Sequence, residues 1–128
     1  MSMMQSRSPL GRALGLGSAR GGVEHWWLER VSAIALVPLT VWFTAAIVRH
    51  TGDNYADVRS WLGTPLTTVL TTLLLISLFY HAALGLQVVI EDYVHSGMKI
   101  AALVAARLGC LALAVAGILA SLRIAFGA

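Results

Sequence analysis

Charge is what this sequence has least of. Only 12% of its 128 residues are charged, and only six of those are acidic. A soluble domain carries about a quarter charged residues, so a water-facing globule with a full polar surface is excluded. Cysteine is nearly absent as well. Cys110 stands alone, which rules out an internal disulfide, a CxxC motif and a Cys/His metal cluster; inside an apolar block it reads as a small apolar helix residue. No internal repeat is visible, so an inverted-repeat transporter is not suggested. No nucleotide-binding loop is present, and there is no stretch long and polar enough to form a soluble catalytic domain.

Hydrophobic residues make up 58% of the chain. They gather into three long blocks, the signature of bilayer spans. The formal net charge of +3 would raise nucleic-acid binding in a soluble protein. Here the arginines flank apolar spans, where membrane orientation accounts for them, and no nucleic-acid partner is expected.

The fold class expected is an all-α membrane protein of three transmembrane helices. Residues 1–30 read as a cytoplasmic N-terminal segment and residues 31–126 as the anchor domain, with spans at about 31–48, 64–90 and 100–126. Residues 1–23 contain Arg7, Arg12 and Arg20, five glycines and no acid, a composition too polar and Gly-rich to pack as a helix. An acid-free start bearing Arg and Ser also resembles a mitochondrial transit peptide, but the segment is short and weakly amphipathic. A secretory signal is disfavoured, because Arg49-His50-Thr51-Gly52-Asp53 is no small-residue cleavage site. Pro38 can bend the first span, Pro65 suits the first turn of the second, and Ser96-Gly97 marks the turn before the third. With the N-terminus inside, Arg7, Arg12, Arg20, Arg30 and Lys99 lie on the inner side and Arg49, Arg59 and Arg123 on the outer. That count favours a cytoplasmic N-terminus and a periplasmic C-terminus. Short N-terminus and compact loops point to a bacterial inner membrane rather than a mitochondrial one.

Several ionisable groups fall at membrane depth, where each costs at least about 2.5–3.5 kcal/mol on insertion scales and calls for a function or a partner. His81, Gly85, Val88 and Asp92 share one face of the second span. A neutral imidazole beside a glycine, which lets a planar group approach the backbone, is what an axial haem ligand needs. An interhelical hydrogen bond from a structural histidine accounts for the same residue equally well. Asp92-Tyr93 lies where the span leaves the membrane. A phenol there can donate to a quinone carbonyl while the carboxylate orients it or relays protons, or both can be ordinary boundary residues. Glu91 and His95 add titratable groups to the same turn. Arg30, behind the interfacial Trp26-Trp27, can snorkel to headgroups or pair with an anion such as a haem propionate. Arg107 is expected to snorkel or to meet a partner chain, and Ser32 and Thr40 to bond back to their own helix.

The run His81-Ala82-Ala83-Leu84-Gly85-Leu86-Gln87-Val88-Val89-Ile90-Glu91-Asp92-Tyr93 resembles the HAxxGxxxVxxDY pattern of the small hydrophobic membrane anchor subunits of succinate dehydrogenase, respiratory complex II. The upstream run Glu24-His25-Trp26-Trp27-Leu28-Glu29-Arg30-Val31-Ser32-Ala33-Ile34-Ala35 is similar to the start of that family's first span. Together the likeness covers roughly residues 22–126. It implies a complex of four subunits: a flavoprotein that oxidises succinate, an iron–sulfur subunit, and two anchors, the other of cytochrome b type, that bind haem b and ubiquinone within the membrane lipid. On that match His81 is one axial ligand of the haem iron, with the second histidine from the other anchor. Tyr93 hydrogen-bonds ubiquinone with Asp92 in support, and Arg30 stands near a haem propionate. The match departs at Glu24, where related sequences often carry a histidine, so Glu24 is left out of the site and His25 has no assigned role. The chain would not oxidise succinate itself. A fumarate reductase anchor, running the reverse reaction, and a small non-redox membrane helper or transporter subunit are the rival readings.

Overall fold

The computed structural model describes residues 19–127. Every regular element among them is a helix: α1 (Ala19–Arg49), α2 (Tyr55–Leu62), α3 (Pro65–Tyr93) and α4 (Met98–Ala125). Three of these are long and apolar enough to cross a membrane, at Val23–Arg49, Pro65–Tyr93 and Met98–Ala125. A helix the length of α3 runs about 43 Å, well over the roughly 30 Å of a hydrocarbon core. Tilt or projecting ends absorb the difference.

The three spans form a row. α3 is the middle helix, packed against α1 on one side and α4 on the other, and α1 and α4 make no close backbone approach among the described residues. Such a row encloses little. Its buried apolar side chains are Ala46, Leu74, Leu84 and Cys110, whereas Ile34 is 70% exposed and Val41 65%. In water that surface would be untenable; against lipid tails it costs nothing. Cohesion between such helices comes from close packing of small residues and from interhelical hydrogen bonds. Gly117 shows the first device, since a Cβ there would lie 3.1 Å from a methyl of Leu75 on α3.

One expectation needs correcting. Residues 19–23 are helical, although their composition argued against it: α1 begins at Ala19 and carries Gly21 and Gly22 in its first turns. Two glycines cost about 1 kcal/mol each relative to alanine, and a long apolar helix propagating behind them bears that, because elongation is far easier than nucleation. The rest of residues 1–23 lies outside the described residues, as do Arg7 and Arg12. The polar connection between the first two spans is partly helical. It contains α2, capped by Asn54, whose side chain accepts a hydrogen bond from the Asp57 amide. Pro38 sits within α1 without ending it, and Pro65 opens α3 at its first turn as its chemistry favours.

The end of the row where α1 stops and α3 starts is closed by aromatic stacking. The His50 ring lies on Trp61 at 4.3 Å between centroids, and Trp61 meets Trp42 at 6.4 Å. His50 Nδ1 also pairs with Asp53 Oδ2 at 2.7 Å. Gly63 follows α2 against α4, where a Cβ would stand 3.3 Å from the Ile124 carbonyl. The opposite end, where α3 leaves and α4 begins, carries the acidic and histidine-bearing turn.

Candidate functional site

α3 carries the candidate residues on a single helix, so its rise sets their spacing. His81 lies about 18 Å of helix before Tyr93, the last residue of α3. The two therefore serve different depths, one in the membrane and one at its edge. Tyr93 is 79% exposed, and Glu91, Asp92 and His95 beside it are exposed as well. Among the described residues neither Asp92 nor Tyr93 is engaged in a side-chain hydrogen bond, so both are free to meet a ligand or partner at this edge.

His81 is half-buried and faces α1. Its Nδ1 lies 3.1 Å from Ser32 Oγ, and that hydroxyl also donates to the Glu29 carbonyl at 2.9 Å. Ser32 was expected only to bond back to its own helix; it does that and ties α1 to α3 as well. Thr40 bonds back alone, to Leu36 and Val37. Ser32 is only 6% exposed, which removes it from competition with water and makes its bond to His81 a fixed feature. His81 Nε2 has no hydrogen-bond partner among the described residues. One turn on, Gly85 faces open space: a Cβ there would meet no atom within 4 Å. A ring nitrogen without a partner and an uncovered strip of backbone thus lie side by side on α3.

Two residues short of Ser32, Arg30 holds its guanidinium 5.3 Å over the Trp26 ring. That cation–π contact spans one turn of α1 and leaves the cation exposed, directed toward the helix N-terminus. His25 lies two turns before Ser32 on the same face of α1. Its Nε2 is buried without a hydrogen-bond partner, as is Thr71 Oγ1. No sequence pattern signals that, because burial of a single ring nitrogen depends on tertiary packing.

Arg107 finds its partner within the chain. Its Nη2 donates to Gln87 Oε1 at 3.0 Å, and Gln87 Nε2 donates on to Glu91 Oε1 at 3.1 Å. The Arg107 side chain leans toward the N-terminus of α4 at the Glu91–Lys99 turn, as helix geometry favours. Deeper than Arg107, a cavity of about 320 Å³ between α3 and α4 is lined by Phe79, Tyr80, Ala83, Cys110 and Ala114, among others. Cys110 is buried there as the small helix residue it was taken for.

Among the described residues no three of His, Cys, Asp and Glu gather as a metal site.

The family model for the succinate dehydrogenase/fumarate reductase transmembrane subunit matches residues 4–121. The succinate dehydrogenase hydrophobic membrane anchor subunit of Paracoccus denitrificans is 32% identical over 125 residues, covering 98% of this chain and 97% of the relative. The protein of the same name from Rickettsia bellii is 34% identical over 88 residues, 69% of this chain and 70% of its own. A succinate dehydrogenase membrane anchor subunit of Reclinomonas americana is 29% identical over 82 residues, 59% of this chain and 66% of its own. No solved structure matches. With almost the whole chain matched by the family model and by a relative of nearly equal length, the chain belongs to the succinate dehydrogenase/fumarate reductase transmembrane subunits, among the hydrophobic membrane anchors of succinate dehydrogenase.

Proposed function

We propose that this anchor holds succinate:ubiquinone oxidoreductase in a bacterial inner membrane and contributes both a haem b ligand and part of the ubiquinone site. Its N-terminus lies in the cytoplasm and its C-terminus in the periplasm, following the lysine and arginine count. The flavoprotein and iron–sulfur subunits bind at the cytoplasmic end, and a second anchor of cytochrome b type completes the membrane part. The relatives named above are all succinate dehydrogenase anchors, which supports that direction of reaction over fumarate reduction.

The single observation that carries the haem part is the pairing of His81 with an open Gly85 at membrane depth on α3. The residues fit the group. His81 offers a ring nitrogen without a described partner, Gly85 lets a planar group approach the backbone, and Arg30, exposed over the Trp26 ring, presents a cation that a propionate can pair with. Haem b, when bound, supplies a one-electron centre inside the membrane. His81 orients that group from α3, and a second histidine from the other anchor is required because this chain offers no other at that depth on α3.

Quinone reduction needs two electrons and two protons at a place reachable from lipid and from water. Tyr93 meets the second requirement by standing at the end of α3, where its phenol donates to a quinone carbonyl. Asp92, the next carboxylate along α3, passes protons to the site from the cytoplasmic side. Electrons arrive from the iron–sulfur subunit, which docks at the same end.

Fractionation tests the anchoring directly. In cells lacking this chain, succinate oxidation by a soluble dye should move from the membrane to the soluble fraction. Dye activity that stays bound to the membrane would refute the anchor role.

A further inference from the structure

We infer that Ser32 is the positioning residue of the haem ligand: it selects the His81 tautomer whose Nε2 can bind iron, and it sets how much electron density that ring delivers. The inference rests on the reading of His81 as the ligand.

The reasoning starts from proton inventory. A serine hydroxyl has one proton to give and two lone pairs to offer. Ser32 Oγ lies 2.9 Å from the Glu29 carbonyl oxygen, which can only accept. It lies 3.1 Å from His81 Nδ1, which can donate or accept. With its proton committed to the carbonyl, Ser32 accepts, and Nδ1–H is the donor. A neutral imidazole carries a single N–H, so Nε2 keeps its lone pair and is the nitrogen able to ligate. The opposite tautomer puts the proton on Nε2, and a protonated nitrogen cannot bind a metal. Serine at this position therefore prepares the ring for ligation before any iron arrives.

The same bond acts on the bound ring. Hydrogen bonding from the far nitrogen raises the basicity of a ligating histidine and holds its orientation. Here the acceptor is itself polarised, because the bonds run in series from His81 through Ser32 to the Glu29 carbonyl, and such chains strengthen one another in a low-dielectric setting. Ser32 is almost wholly buried, so water does not replace it easily. A more basic ligand favours ferric over ferrous iron and lowers the midpoint potential.

The test is a redox titration of haem b in the purified complex carrying Ser32→Ala, Ser32→Thr and His81→Ala. Loss of such an outer partner typically weakens metal binding about 10–100-fold, and a tenfold loss of ferric preference is about 59 mV for one electron. Ser32→Ala should raise the midpoint potential by about that amount, and Ser32→Thr, which keeps the hydroxyl, should restore it. If Ser32→Ala fails to assemble, Ser32→Cys takes its place, a weaker acceptor at the same position that should give a smaller upward shift. An unchanged potential in Ser32→Ala or Ser32→Cys overturns the inference, and so does an equal shift in Ser32→Thr. The His81→Ala arm separates the two claims. Haem retained unaltered in that variant refutes the ligand assignment itself, whereas haem lost there beside an unchanged Ser32→Ala refutes only the role of Ser32.

Discussion

The two seams of α3 are built on different principles. Toward α1, at the level of His81, the contact is polar: a buried serine ties the two helices through an imidazole. Toward α4 the contact is close and apolar, set by Gly117 against Leu75, with a cavity beyond it and a lone Arg107–Gln87 bond nearer the end. In lipid, apolar burial gives no driving force between helices, so each seam has to be held by fit or by hydrogen bonds. The α4 seam uses fit, which tolerates no added atoms but needs no chemistry. The α1 seam places a titratable ring at membrane depth, where packing alone would have been served better by leucine. On the proposed reading, the α1 side of α3 is the one that holds a ligand and the α4 side is structural support.

Substitutions can break or sharpen this contrast. The largest effect is expected from Tyr93→Phe on ubiquinone reduction, because the phenol is proposed to meet the substrate itself. Loss of one hydrogen bond of about 1 kcal/mol lowers the rate roughly fivefold, and a proton-transfer role would lower it about 10²-fold or more. Succinate oxidation by a soluble dye and the haem spectrum should both stay as they were, and steady-state assays with the two acceptors check this. Unchanged ubiquinone reduction would remove Tyr93 from the site.

Next comes the α4 seam. Gly117→Leu drives a branched side chain into the space Leu75 occupies, and overpacking of this kind costs about 1–3 kcal/mol. The complex in detergent should lose its quaternary stability at a lower temperature, as followed by thermal inactivation, with the haem potential unmoved. A shifted potential would show that the two seams are coupled after all. The smallest effect should follow from Arg107→Gln. Interhelical hydrogen bonds in membranes average about 0.6 kcal/mol, so the same thermal assay should move only slightly.

Much of this was legible in the residues, and what was not had a physical reason. Three spans follow from long apolar blocks, since a bilayer demands about twenty such residues in a row. The helical start of α1 was hidden because Gly21 and Gly22 depress local propensity, and propensity is weak against propagation from an established helix. The short helix α2 has its signal in Asn54 followed three residues later by Asp57 at a helix start, the side-chain acceptor and first-turn acid that a helix N-terminus favours. His81, Asp92 and Tyr93 could be picked out because one helix carries all three at fixed spacing. The partners could not. Ser32 and His81 are 49 residues apart and Gln87 and Arg107 are 20 apart, and hydropathy says nothing about which polar groups meet across helices.

The most direct test of the central claim, that the α1-facing side of α3 holds haem through His81, is a reduced-minus-oxidised absorbance spectrum. It should be taken on the gently purified complex, wild type beside His81→Ala. A b-type band in the wild type that the substitution abolishes, weakens or shifts is the predicted result. A b-type band identical in both would contradict the assignment.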